Sequence, residues 1–415
     1  MAAWAVRLRT HAVFFVLPGV YAVLALNNIG FLAGFTGDET AYRTAAWEIL
    51  GSGPATNLEH PLLAKTLQAF GAIFAVFFHA DPVVGMRIVS VLAGALALAA
   101  TYAIGAQFAS PAAGLAASVL LLGNTMFFVH ARLISPEMTA IGFLMAGLYL
   151  FLIADDSLSG AFLGLSLAAK WIGVWLVPWA LVRIVLARGL NPAAKFLGCC
   201  ILLYTLGNAA YFRNHTLSEF FRWPLSMLSY HEIHAPNSPE NGSPAWTWFT
   251  VPQQLYYARL PSSPGSAALV MSAINPVVFV LVLPALIAAF WPGAPRPRRL
   301  LAEAALCLYA PWLFVARPTY VFYALTVIPI LAVLEAMLLM SLREQGKISR
   351  ALAVVALGVS FAAFVPFYPA AVGRPIGESH ERALARLNFY RRPVHYSMFC
   401  QSCNKFFGPA DEPPK

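Results

Sequence analysis

Long apolar runs recur along the chain, near residues 11–34, 85–108, 112–129, 137–154, 160–187, 195–212, 270–291, 299–316, 318–340 and 351–370. Several approach or exceed the roughly 20 residues that a helix needs to cross a bilayer core. In lipid, such runs must satisfy every backbone N–H and C=O internally, which favours helices. The pattern therefore predicts an all-α polytopic membrane protein. The run 160–187 is long and is interrupted by Lys170-Trp171, so it predicts two short helices that turn near Lys170.

Polar positions divide unevenly between the two sides. Basic clusters fall at Arg7/Arg9, Arg183/Arg188/Lys195, Arg296/Arg298/Arg299 and Arg343/Lys347/Arg350. If all are cytoplasmic, as the bias of Lys and Arg toward cytoplasmic loops requires, the split at Lys170 restores parity and gives about eleven crossings. The N-terminus then lies inside and the tail 371–415 outside, after a transmembrane domain of residues 1–370. The outer side receives the first loop 35–84, the turn "HARLISPE", Lys170, the long loop 213–269 and "ARPTY" at 316–320. Two stretches, 57–78 and "SEFFRWPLSMLSYHE", carry the aromatics of helices lying at a membrane surface.

Composition agrees. The chain is 60% hydrophobic and 11% charged with a mean hydropathy of +0.69, which excludes an ordinary soluble domain. Arginines at cytoplasmic loop ends account for much of the net charge of +9, so no nucleic-acid partner is implied. The first apolar run continues too long after its basic start for a cleavable leader. Cys199, Cys200 and Cys307 read as apolar filler. Cys400-x-x-Cys403 alone does not make a zinc ribbon, and leaves a local disulfide or half of a shared metal site open. No internal repeat, P-loop, GxGxxG or nucleophile elbow is present.

Ionisable groups at membrane depth are costly and usually functional. The outer side offers Asp38, Glu39, Glu59, His60, Lys65, Arg87, His130, Arg132, Glu137, Lys170, His231, Glu232, His234 and Arg317. An extracytoplasmic enzyme has no nucleotide supply, so its reaction must draw on a donor already in the membrane. A lipid-linked phosphosugar fits: its phosphate leaving group needs Arg, Lys or His, and its acceptor hydroxyl needs a carboxylate base. In "FTGDETAYRTAAWEILGSG", Thr36 and Glu39 fit a capping box, which leaves Asp38 free. Each candidate also has a structural alternative. His60-Pro61 can simply start a helix, Arg87 and Arg132 can snorkel to head groups, and His231 and His234 can be ordinary loop residues.

Five ordered stretches resemble the protein O-mannosyltransferases that use polyprenyl-phosphate-mannose, within the GT-C class of membrane glycosyltransferases. They are "GDETAY…EHPLLAKTL", "GMRIVSVLAG", "HARLISPEMTAIGF", "LGLSLAAKWIGVW" and "ARPTYVFYALTVIP"; "MLSYHEIHAPNSPENGSPAWTWFTVPQQLYY" is a weaker sixth. The resemblance implies a GT-C bundle with amphipathic surface helices in the first outer loop. It assigns Asp38 as the base for the acceptor hydroxyl and Glu39 as its partner. His60, Lys65, Arg87, Arg132, Glu137, Lys170, His231 and Arg317 become the groups expected around donor phosphate and sugar. Leu62 replaces a second proline of the family's His-Pro-Pro pattern, and Glu137 replaces an aspartate.

The implied reaction is inverting transfer of a hexose, mannose first, from a polyprenyl phosphate to a protein Ser/Thr hydroxyl. Acceptor protein or lipid and the surrounding membrane lipids are the other expected partners. No cofactor is expected; Asp38, Glu137, His231 and His234 are the residues that could gather a divalent ion. The rivals are a lipid-directed transferase of the aminoarabinose type and a lipid or sugar transporter. Transporters tend to hold charges near the midplane between repeated halves, whereas these charges gather at outer ends without repeats.

Overall fold

A computed structural model describes residues 13–31, 38–51, 57–233, 242–315, 319–389 and 394–395, with 13–14, 231–233 and 394–395 described by backbone alone. In chain order the helices are α1 (Val13–Leu26), α2 (Glu39–Leu50), α3 (Leu63–Phe77), α4 (Pro82–Phe108), α5 (Pro111–Leu122) and α6 (Thr125–His130). There follow α7 (Pro136–Leu152), α8 (Asp156–Ala169), α9 (Leu176–Arg188), α10 (Leu190–Gly207) and α11 (Leu217–Ile233). The last are α12 (Pro276–Phe290), α13 (Arg296–Tyr309), α14 (Ile328–Glu344), α15 (Lys347–Ala371) and α16 (Glu378–Ala385). Several begin with the same local chemistry: proline at the first turn after a polar N-cap. Asp81, Ser110 and Asn275 accept from the backbone N–H of Val83, Ala113 and Val277 at 2.8, 3.1 and 2.9 Å.

The break at Lys170 is present. α8 stops at Ala169, Lys170 is extended (φ −163°, ψ 146°), a 3-10 turn spans Trp171–Gly173, and α9 starts at Leu176. Among the described residues, α4, α10 and α15 are long and apolar enough to cross a membrane. The apolar part of α1 and helices α3, α5, α7 and α12 are shorter. The expected surface stretches are helices α3 and α11, each with one buried face. Phe70, Phe74 and Phe77 on α3 and Phe221 and Leu225 on α11 stay exposed.

The all-α expectation needs one correction. Strands β1 (Gln254–Ser263) and β2 (Ser266–Ala273) form an antiparallel hairpin inside the expected outer loop and the start of the run 270–291. β3 (Pro375–Gly377) adds antiparallel to β2, and β4 (Val394–His395) parallel to β1, giving the order β3-β2-β1-β4. Arg259 Nε and Nη2 on β1 donate to Glu381 Oε1 and Oε2 on α16 at 2.8 and 3.2 Å. The tail therefore sits at the same end of the bundle as the hairpin.

Hydrogen bonds draw the other candidate loops to that end. Trp223 Nε1 donates to the Leu58 carbonyl (2.7 Å), Leu62 N to Asn208 Oδ1 (2.8 Å), and Ser243 N to the Thr319 carbonyl (2.7 Å). Asn28 Nδ2, just past α1, donates to the Val372 carbonyl (2.9 Å). Elsewhere arginines of α9 and α13 bond to neighbouring helices: Arg188 to Asp156 (2.9 Å), Arg183 to Glu303 (2.6 Å), and Arg298 to Ser341 (2.8 Å).

Small residues bring the helices together. α3 crosses α4 where Gly71 meets Gly85, and a Cβ on Gly85 would stand 2.0 Å from the Gly71 carbonyl oxygen. Gly160 and Gly164 press in the same way on the backbone of α10. Close backbone approach is the packing device available where lipid removes the hydrophobic drive between helices. Gly85→Val is therefore expected to separate α3 from α4 and cost about 1–3 kcal/mol, the usual range for overpacking. Thermal unfolding in detergent checks it; an unchanged midpoint would refute the close crossing.

Candidate active site

Asp38 occupies the N-cap position of α2, and its carbonyl accepts from Ala41 N (3.0 Å) and Tyr42 N (3.3 Å). Its side chain is exposed and makes no capping bond. The capping-box expectation fails for Glu39, and Thr36 lies outside the described residues. Instead of turning back on the helix, the Glu39 carboxylate is buried. Oε1 accepts from Arg87 Nε (2.9 Å) and Ile134 N (2.8 Å), and Oε2 from Arg87 Nη2 (2.6 Å). A bidentate bond to a guanidinium inside the bundle outweighs a cap that water could equally satisfy.

Arg87 and Arg132 do not snorkel: they are 0% and 1% exposed. Arg87 Nη1 donates to the carbonyls of Ile29 (2.7 Å) and Phe31 (2.6 Å). The Phe31 ring has Arg87 Cζ at 5.4 Å and Arg132 Cζ at 5.2 Å from its centroid, within cation–π range. Arg132 Nη2 donates to the Asn28 carbonyl at 3.3 Å, while its Nε and Nη1 have no hydrogen-bond partner among the described residues. Glu39, Arg87 and Arg132 thus form one buried knot joining α2, α4, the end of α1 and the turn 131–135.

A second group gathers around Tyr42. Burial, and then the carboxylates of Glu137, Asp38 and Glu59, push its phenol well above the usual tyrosine range, so it stays protonated. Three acids from separate segments thus lie within electrostatic reach of one side chain. Glu137, in the first turn of α7, is paired with Lys170 through Oε1, with both residues buried. Lys65 Nζ donates to the carbonyls of Asn57 and His60, the latter at 2.9 Å, and lies within electrostatic reach of Glu59 and Lys170. The His60 ring is 6.2 Å from that of Tyr42, and its residue precedes α3, which starts two positions after Pro61. Buried His130 stacks on Phe322 at 5.4 Å and lies 3.2 Å from the Tyr257 hydroxyl, tying the turn to β1.

A groove of about 700 Å³ runs between α3, α4 and α7. Leu67, Phe70, Phe74, Val89, Leu96 and Phe143 help to line it, with Thr139 as its hydroxyl-bearing residue. Lys65 and Leu67 share α3, and Glu137 and Thr139 share α7, but residues two apart on a helix face different sides, so the groove and the charged group occupy different faces of the same helices. The volume suits a small-molecule or lipid site, being apolar with few polar groups at one part of its wall.

Arg317 and His234 lie outside the described residues, as do the side chains of His231 and Glu232. Among the described residues, no three His, Cys, Asp or Glu side chains are grouped as metal ligands. Tyr42, Gln68 and Tyr257 were not singled out from the sequence. Tyr42 was within reach, since it stands four positions after Asp38 and so on the same side of α2. Tyr257 had no such signal, because its role depends on a hairpin.

No protein-family profile matches the chain, and no curated protein matches it in sequence. Solved structures do. The S. cerevisiae protein O-mannosyltransferase Pmt1-Pmt2 complex bound to the sugar donor superposes with a TM-score of 0.73 at 12% identity, over 95% of each chain. ArnT from Cupriavidus metallidurans bound to undecaprenyl phosphate gives a TM-score of 0.59 at 16% identity, over 89% of this chain and 77% of that one. AglB, the archaeal oligosaccharyltransferase from Archaeoglobus fulgidus, in complex with an inhibitory peptide and a dolichol-phosphate, gives 0.53 at 11% identity, over 97% and 61%. The chain has the fold that these GT-C glycosyltransferases share.

Proposed function

We propose that the protein is an integral-membrane glycosyltransferase that moves a hexose, mannose in the first instance, from a polyprenyl phosphate to a protein Ser/Thr hydroxyl. The observation that carries this reading is the group of Lys65, Glu137 and Lys170 near Tyr42, with Lys65 and Glu137 on α3 and α7, the helices that also wall the apolar groove. A lipid chain suits the groove, and Lys170 and Lys65 supply positive charge for its phosphate. The structural relatives, solved with undecaprenyl phosphate, a sugar donor or dolichol-phosphate, support the donor class. The arginine-rich end would face the cytoplasm, which puts the reaction on the extracytoplasmic side.

Asp38 takes the proton of the acceptor hydroxyl as that oxygen bonds to the anomeric carbon. The bond from this carbon to the phosphate oxygen breaks, its electron pair stays on the phosphate, and the configuration inverts. Lys170 and Lys65 stabilise the growing phosphate charge in a site largely closed to water. Arg87 has a different part in this scheme: it holds Glu39, which fixes the start of α2 and so the place of Asp38.

The test is transfer by purified protein in lipid nanodiscs, with radiolabelled polyprenyl-phosphate-mannose and a Thr-rich peptide. Labelled peptide is the expected product, and EDTA is expected to leave the rate unchanged because lysines supply the positive charge. Label moving only to a glycolipid acceptor would favour the lipid-directed rival. Movement of donor across the bilayer without any transfer would overturn the proposal.

A further inference from the structure

The Lys170–Glu137 pair raises a problem for any enzyme that uses Lys170 to hold a phosphate, because its charge is already neutralised. Both partners are buried, with side chains 11% and 6% exposed. Glu137 is held at the start of α7 behind Pro136, whereas Lys170 sits in the extended break between α8 and the 3-10 turn.

Around Glu137 the acceptor side is unfilled. Among the described residues, Glu137 Oε2 and Gln68 Oε1, both buried, have no hydrogen-bond partner. Gln68 Nε2 donates to the carbonyl of Ser135, two positions before Glu137, at 3.2 Å, so the two acceptors belong to neighbouring segments. Buried acceptors without donors are costly, and a ligand rich in O–H groups would satisfy them. A sugar has such groups; a bare lipid phosphate offers little more than acceptors.

Resting on the glycosyltransferase reading above, we propose that Glu137 is a resident counter-ion that the donor phosphate displaces from Lys170, and that it admits a phosphate only when sugar hydroxyls accompany it. With the sugar-loaded donor, Lys170 turns to the phosphate while the hydroxyls donate to Glu137 and its neighbours. After transfer the sugar is gone, and the carboxylate faces a phosphate of like charge without the sugar hydroxyls that bridged them. Repulsion then returns Lys170 to Glu137 and expels the spent carrier. The device makes product release a consequence of the chemistry.

Binding to protein in nanodiscs tests this with three probes: a mannosylated polyprenyl phosphate, the bare polyprenyl phosphate, and the neutral polyprenol. Wild type is expected to bind the mannosylated form about tenfold more tightly than the bare phosphate. Glu137→Gln should bind the bare phosphate about tenfold more tightly than wild type does, with polyprenol binding unchanged. Unchanged or weaker binding of the bare phosphate by a cooperatively folded Glu137→Gln overturns the proposal. If that variant does not fold, Glu137→Asp, which retains the charge but draws it back by one methylene, should bind the bare phosphate about threefold more tightly. No change there also overturns it. If wild type favours neither phosphate over polyprenol and Glu137→Gln creates no preference, the glycosyltransferase reading falls as well. A wild type that prefers the phosphates, beside an unaltered Glu137→Gln, defeats the counter-ion role alone.

Discussion

Asp38→Asn is expected to lower the transfer rate about a thousandfold, within the range lost with a positioned general base. Donor binding and the unfolding temperature should stay close to wild type. The reason lies in where the carboxylate sits. It is exposed at the residue just before α2 and makes no capping bond, so α2 does not need its charge to start. Yet it is one of the three acids within electrostatic reach of Tyr42, as Lys65 is of Lys170. Asparagine keeps the shape and removes only the capacity to take a proton. Single-turnover transfer with preformed donor complex separates the chemical step from binding, and a wild-type rate would remove Asp38 from the mechanism.

The neighbouring acid should behave in the opposite way. Glu39→Ala is expected to destabilise the protein by about 3–5 kcal/mol, because it leaves the Arg87 guanidinium buried without its counter-ion. The backbone N–H of Ile134 loses its acceptor in the same step. Removing both charges should hurt far less than removing one: Glu39→Leu with Arg87→Leu is expected to recover most of the loss. A double-mutant cycle on unfolding free energies in detergent measures the coupling. It also separates two roles for Arg87. If that arginine served the donor phosphate, Arg87→Leu alone would abolish donor binding at little cost to stability. The bonds to Glu39 and to the carbonyls of Ile29 and Phe31 lead us to expect the reverse.

Much of the architecture was legible without coordinates, for reasons that act over short distances. Apolar runs became helices because lipid leaves the backbone few other ways to satisfy its hydrogen bonds. Lys170 announced its own break, since an ammonium inside an apolar run marks a place where the helix meets something polar. The hairpin was missed because the apolar segment of β2 leads almost directly into α12, and the two together look like one hydrophobic run. Asn275-Pro276, an N-cap followed by proline, was the signal that should have cut it.

The site divides along the same line. By itself the sequence determined which residue types were present and that acids and cations stand at the ends of the apolar runs or interrupt them. Only the tertiary structure decided who pairs with whom. Glu39 finds Arg87 across 48 residues and Lys170 finds Glu137 across 33, and no local periodicity encodes either. Those choices are forced by burial: once helix packing excludes water, each charge must take whichever opposite charge the packing brings within reach. Asp38 and Glu39 are adjacent in sequence, but packing exposes one and buries the other, and that difference gives them separate roles.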